Sequence, residues 1–221
     1  TSCNTKDATF FNEVTQEPEW VEELGFSYPH PTLYRDNQLT LAGFDASLDK
    51  VQEIIGSDKL KVKQTSPGKT ELLFLGMQGG SINGFEVHEI WVSAQVTHVD
   101  TGSEGIYIIS LPISYYYGYL AGEVIFGYNK VTAEFDIQDH EGDKVFTTAI
   151  NGEPLLQFHT KMDATDCWLS ENLYHFTIQD EHINRNLMRV NWPKGKVTDS
   201  GGAGFTFYEH SLAEELAQLE I

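Results

Sequence analysis

The chain is short of positive charge. It has 14 lysines and arginines against 33 aspartates and glutamates in 221 residues, a formal net charge of −19. A duplex-binding surface needs clustered Lys and Arg to displace counterions, and no such cluster occurs. This excludes nucleic acid as a partner and disfavours anionic membranes and polyanions. Cysteine is also scarce, with Cys3 and Cys167 alone. Two cysteines without a CxxC exclude a Cys-rich zinc site. They allow one Cys3–Cys167 disulfide in a secreted mature form, or two free thiols in a cytoplasmic chain. The start TSCNTKD, without Met, fits a processed or trimmed chain, and the compartment stays open between these alternatives. No apolar run reaches the roughly 18 residues of a membrane-spanning helix. GxSxG, GxxxxGK[ST] and HExxH are missing too, and HEIWVSAQVTH has the wrong spacing for the last. His88 and His98, ten residues apart, read as ordinary polar strand residues rather than metal ligands, and no metal or cofactor is expected.

What is present is a globular composition, with 40% hydrophobic and 12% aromatic residues, long enough to bury a core. No internal repeat or linker divides it, so residues 1–221 read as a single domain with an N-terminal extension over 1–25. NEVTQEPEWVEELGF suggests a short helix around Trp20 to Leu24, and Pro29 and Pro31 then force an extended or turning path. QLTLAGF alternates as a strand does. SLDKVQEIIG predicts a helix, with Ser47 as cap, Leu48, Val51, Ile54 and Ile55 as its apolar stripe, and Gly56 as its end. Beyond it lie short runs rich in Val, Ile, Thr and aromatics, separated by SPGK, DTGSEG, DHEGD, NGEP and DSGGAG. Their spacing predicts antiparallel hairpins rather than βαβ units. So many strand edges are best hidden in a β-barrel or a pair of curled sheets. The fold class is α+β, mainly β. SLAEELAQLEI, within 211–221, closes the chain as an amphipathic helix carrying Leu212, Leu216 and Leu219.

YYYGYLAGEVIFGYNK breaks the strand pattern and predicts a helix over roughly Gly118 to Ile125, ended by Gly127. The next strand opens on Lys130, the only basic residue between positions 111 and 139. A lysine at a strand start ordinarily points to solvent. Buried instead, it is driven toward its neutral form, and a neutral amine attacks ketones and aldehydes. The resulting iminium withdraws electrons from the adjacent carbon.

GIYIISLPISYYYGYLAGEVIFGYNKVTAEFDI resembles the central block of the acetoacetate decarboxylase superfamily. That block runs as a strand, an alanine- and glycine-rich helix, a Gly-Arg-Glu, then aromatic-Pro-Lys-Lys and a strand. By this resemblance Gly122, Tyr128 and Lys130 take the glycine, aromatic and Schiff-base lysine positions, and Glu89 of HEIWVSAQV takes the family's acid. YPHPTLYRDNQLTLAGF is similar to the family's opening segment. The resemblance covers roughly residues 26–160 and is specific around 105–137. It implies a family-like fold of curled antiparallel sheets or a barrel, and commonly a homo-oligomer. The second lysine is replaced by Val131, the proline by Asn129, and the Gly-Arg-Glu by Gly122-Glu123-Val124. The family's arginine falls near Asn37, with Arg35 as substitute. Without the second lysine, only desolvation remains to activate Lys130.

Three functions follow. The first is a lyase acting through a Schiff base, a decarboxylase, aldolase or dehydratase of a small or medium hydrophobic keto compound. Lys130 is its nucleophile and Glu89 its general acid/base, with Glu86 the alternative acid if the register slips by one face. The second is a non-covalent cyclase or isomerase of secondary metabolism, Diels–Alder type included, working by orientation. The third is a binding protein for a hydrophobic ligand. Arg35, Tyr28, Tyr116, Tyr128, His88 and Glu123 are the candidates for substrate contact. A Glu123–Lys130 pair would hold the amine charged.

Overall fold

The computed structural model describes residues 6–12, 14–140, 143–161, 168–193 and 202–221. Cys3 and Cys167, and with them the disulfide expectation, lie outside these residues. The chain opens with strands β1 (Glu17–Val21), β2 (Phe26–His30), β3 (Tyr34–Arg35) and β4 (Gln38–Ser47), then helix α1 (Leu48–Ile55). Next come β5 (Leu60–Val62), β6 (Lys69–Gln78), β7 (Ser81–Ile82), β8 (Glu89–His98), β9 (Glu104–Ile113) and helix α2 (Tyr116–Val124). The remainder is β10 (Lys130–Thr132), β11 (Glu134–His140), β12 (Asp143–Ile150), β13 (Glu153–Lys161), β14 (Trp168–Gln179), β15 (His182–Pro193), β16 (Ala203–Phe207) and helix α3 (Ser211–Ala217).

The main sheet has eight strands. Six follow the order β15-β14-β9-β8-β6-β4, β10 adds to β9, and β5 adds to β8. A second sheet runs β11-β12-β13-β16, and β1-β2 and β3-β7 form two small ribbons. The sheets curl but do not close into a barrel among the described residues. Between the two larger sheets lies a phenylalanine-rich core. Phe74, Phe146 and Phe158 are fully buried in it, and Phe205 stacks on Phe74 at 5.0 Å between ring centroids. Val51 and Ile55 of α1, Ala213 and Leu216 of α3, and Leu219 seal its ends. As expected, α1 begins after Ser47 and stops at Gly56, whose φ of 66° is the left-handed turn that glycine accepts without strain.

Three sequence expectations need correction. Residues around Trp20 form β1, paired with β2, rather than a helix; Glu17 precedes Pro18 and is biased to extended backbone, and Gly25 at φ 68° closes the turn between the strands. KVTAEFDI is two strands. Lys130–Thr132 pairs with β9, whereas Glu134–His140 joins the other sheet, with Ala133 between them. The connections are not all hairpins either: β10 and β14 both run parallel to β9.

A second buried lysine stands where the two larger sheets approach. Lys144 of β12 is 1% exposed. Its Nζ donates to Gln38 Oε1 at 2.6 Å and to Gln78 Oε1, and it pairs with Asp139 at 3.3 Å. Gln38 and Gln78 face each other across β4 and β6, so this ammonium ties the second sheet to the first. Lys144→Met should lower stability to urea by about 1–3 kcal/mol, because it orphans two amide oxygens. Asp139→Asn should cost less than about 1 kcal/mol, since that carboxylate is largely solvated.

Candidate active site

The chain leaves β9 at Ile113, crosses over through α2, and returns as β10 beside the strand it left, with Lys130 opposite Leu111. Parallel neighbours require such a crossover, and here it is a helix of small and aromatic residues. Gly122 belongs to its packed face. A Cβ there would collide with Cε and Cδ of Lys130, so only glycine lets the lysine stem lie against α2. Gly127, at φ 68°, turns the chain out of the helix. Asn129 donates from Nδ2 to the Ile109 carbonyl at 2.7 Å and pins the turn to β9.

Lys130 is aimed into the protein, its side chain 5% exposed. Its Nζ lies 3.1 Å from Oε1 of Glu89, whose side chain is 0% exposed. The other oxygen, Oε2, accepts from Trp91 Nε1 at 2.7 Å. The Trp91 ring stands edge-on to His175, with centroids 5.2 Å apart. His175 Nδ1 lies 3.0 Å from the Tyr128 hydroxyl, and the Tyr128 ring sits 5.9 Å from Lys130 Nζ. Lys130, Glu89, Trp91, His175 and Tyr128 thus form a closed ring of contacts drawn from β8, β10, β14 and the turn before β10. Burial raises the Tyr128 phenol well above its ordinary value, helped by the Glu89 charge. Tyr34 and Tyr28 are raised in the same way, burial first and Glu89 contributing to both. Burial lowers His175 to about 4 from 6.5. The site therefore holds three protonated phenols and a neutral imidazole at neutral pH.

Strand register shows what surrounds this ring. Leu39 faces Met77 and Leu41 faces Leu75 across β4 and β6. Met77 and Leu75 in turn face Glu89 and Trp91. On the other flank His175 lies opposite Asn186, and Leu173 opposite Met188. Leu39, Leu73, Leu173, Met188 and Trp192 are partly exposed and pack on the same cluster, while Leu41 is 54% exposed. The amine therefore sits mid-sheet between two aliphatic flanks that are not fully covered. Val131, where the sequence resemblance expects a second lysine, faces the opposite way. It packs against the inter-sheet core beside a cavity of about 170 Å³ lined by Ile109, Leu155, Phe207 and Leu216.

The other candidates are scattered. Tyr28 reaches the site's edge, its hydroxyl 2.9 Å from Thr32 Oγ1. Arg35 is exposed, with its guanidinium over the Phe11 ring at 4.2 Å. Tyr116 is 55% exposed and stacks on Tyr119. Glu123 is exposed and bonds Tyr119, not Lys130. His88 accepts from the Gly79 N–H at 3.3 Å and sits by Phe135. It precedes Glu89 and so faces away from it. Glu86 is exposed before the strand begins, so Glu89 is the inward acid. No group of three or more metal-ligating side chains occurs among the described residues. Sequence reading missed Trp91, Tyr34 and His175. Trp91 was visible in principle, two residues from Glu89 on the same strand face. His175 carried no local signal.

No protein-family model and no curated protein matches the sequence. Solved structures do. An acetoacetate decarboxylase from Legionella pneumophila subsp. pneumophila str. Philadelphia 1 superimposes with a TM-score of 0.62 at 16% identity, over 100% of this chain and 90% of its own. The enduracididine biosynthesis enzyme MppR, complexed with the condensation product of pyruvate and imidazole 4-carboxaldehyde, gives 0.57 at 11% identity over 83% and 78%. An acetoacetate decarboxylase-like enzyme from Sphingomonas wittichii RW1 gives 0.50 at 15% over 82% and 83%. The chain has the acetoacetate decarboxylase-like fold, at a distant level of sequence similarity.

Two predictions follow from the geometry. Glu89→Leu and Lys130→Met should each cost about 3–5 kcal/mol by leaving a buried charge unpaired, while the double variant should cost less than either. Additive losses in urea titrations would refute the coupling. Acid should also act through His175. Between pH 6.5 and about 4 the unfolded chain takes up a proton that the folded imidazole refuses. That part of the stability is complete above the unfolded value and falls on acidification by on the order of 3 kcal/mol. The wild-type minus His175→Asn difference in stability across this range measures it.

Proposed function

We propose that this chain is an enzyme acting on a neutral, hydrophobic carbonyl compound, with Lys130 as the amine that condenses with the carbonyl carbon. One observation carries the reading: a buried lysine donates to a buried carboxylate 3.1 Å away, between aliphatic flanks. Transfer of that proton from Nζ to Glu89 gives a neutral amine and a neutral acid. The amine lone pair attacks the carbonyl carbon, and a nitrogen proton moves to the oxygen to complete the carbinolamine. Glu89 then returns its proton to the departing hydroxyl, which leaves as water. An iminium and a carboxylate remain where ammonium and carboxylate stood, so Glu89 faces one positive charge at both ends of the sequence. The iminium draws electrons from the adjacent carbon, as aldol cleavage or dehydration requires.

The arginines support a substrate without a carboxylate. Arg35 stacks on Phe11, Arg185 on Tyr174 and Arg189 on Phe10, while Lys144 is held by Gln38, Gln78 and Asp139. Decarboxylation of a keto acid would need a cation that these contacts engage elsewhere. A second reading drops the covalent step: the same flanks fold a bulky neutral substrate for cyclisation or isomerisation, with Tyr128 as hydrogen-bond donor. It is favoured by Glu89, both of whose oxygens are already occupied.

Borohydride trapping followed by intact mass decides between them. Wild type should form a reduced adduct with 4-phenylbutan-2-one and less with acetoacetate, and Lys130→Ala should form none. No adduct with either from about pH 6 to 9, below the ordinary lysine value of about 10.4, overturns the covalent reading.

A further inference from the structure

We propose that His175 is a positioning residue: it donates from Nδ1 to the Tyr128 hydroxyl oxygen and so leaves the Tyr128 O–H free to donate to the substrate oxygen beside Lys130. The proposal rests on the reading of Lys130 as the place where a carbonyl is held.

His175 is 2% exposed, and its Nε2 has no hydrogen-bond partner among the described residues. A neutral imidazole carries one proton, on either nitrogen. With the proton on Nε2, a buried N–H lacks an acceptor, and the Tyr128 proton is consumed on Nδ1. With the proton on Nδ1, Nε2 is a bare lone pair. Unmatched acceptors are tolerated somewhat better than unmatched N–H groups in the backbone case, and the same asymmetry favours the Nδ1–H form here. The Tyr128 oxygen then accepts from His175 at 3.0 Å, and Asn186, whose Nδ2 donates to the Phe126 carbonyl at 3.5 Å, lies close enough to bear on the phenol. Asn186 faces His175 across β14 and β15, so both groups approach from one side. With its oxygen occupied by His175, the phenol is left its single proton, on a ring whose centroid lies 5.9 Å from Nζ. Burial keeps the imidazole neutral and the phenol protonated, so neither changes its protonation state near neutral pH. A phenol fixed in this way is a preorganised donor for the oxygen that gains negative charge as the amine attacks.

The direct test is ¹⁵N NMR of the imidazole in the uniformly labelled wild-type protein at pH 7.5, assigned by loss of the signal in His175→Asn. The expected result is a protonated Nδ1 and an unprotonated Nε2; a protonated Nε2 overturns the proposal. The functional test is the rate of borohydride-trapped adduct formation with 4-phenylbutan-2-one. His175→Leu and Tyr128→Phe should each slow it roughly 10- to 100-fold. Their double variant should be no slower than Tyr128→Phe. His175→Asn, which keeps an amide N–H at the Nδ1 position, should recover most of the rate. An Asn variant as slow as Leu, or additive losses, also overturns it. If wild type forms no adduct, the covalent reading of Lys130 fails, and the tautomer still decides the role of His175.

Discussion

The buried pair of Lys130 and Glu89 is the constraint around which the rest of the site is arranged. Two groups that water would solvate strongly are held together inside an apolar cluster. Either one alone would be costly there, and together they are tolerable only in good geometry. That geometry needs β8 to present Glu89 inward, β10 to lie against β9, and α2 to have no side chain at Gly122. The helical excursion between β9 and β10 is the segment that satisfies all three. It departs from the hairpin logic of the surrounding chain because its task is to return a lysine to the strand it has just left.

The two buried lysines make an instructive contrast. Lys144 has three oxygens around its ammonium and clamps two sheets together. Among the described residues Lys130 has one hydrogen-bonding partner, Glu89, and it faces an aromatic ring. The first is satisfied and therefore inert. The second has, among the described residues, a single carboxylate oxygen beside its ammonium. Burial alone does not distinguish these two amines, whereas the number of oxygens around the nitrogen does.

Much of this was legible in sequence because it was local. The single lysine in an apolar run, the glycines at 122 and 127, the acid opening HEIWVSAQV and the α1 boundaries are all encoded within a few residues of where they act. The main strands were readable from alternation and turn residues. What was not readable depends on partners distant along the chain. Nothing near Ala133 announces that the strand splits between two sheets, because either half alone is a good strand. Arg35 was a reasonable choice for a substrate clamp until Phe11 proved to lie under its guanidinium. His175 sits in a strand of unremarkable composition, and only the register of β14 against β9 brings it to Tyr128. The segment around Trp20 has helix-forming glutamates, but its pairing with β2 prevails, an instance of tertiary context overriding propensity.

Lys130 and Val131 are consecutive residues of one short strand, so their side chains point to opposite faces. The amine turns toward Glu89 and the valine toward the cavity behind the sheet, which Lys130 also borders. A three-residue strand cannot shift on one face and stay still on the other. The packing of Leu155, Phe207 and Leu216 around that cavity is therefore mechanically continuous with the position of the nitrogen, although none of the three faces it. For an evolving lineage this is a route to a changed site that leaves the site residues themselves untouched: core volume can be traded behind the sheet, and the lysine nitrogen moves by fractions of an ångström.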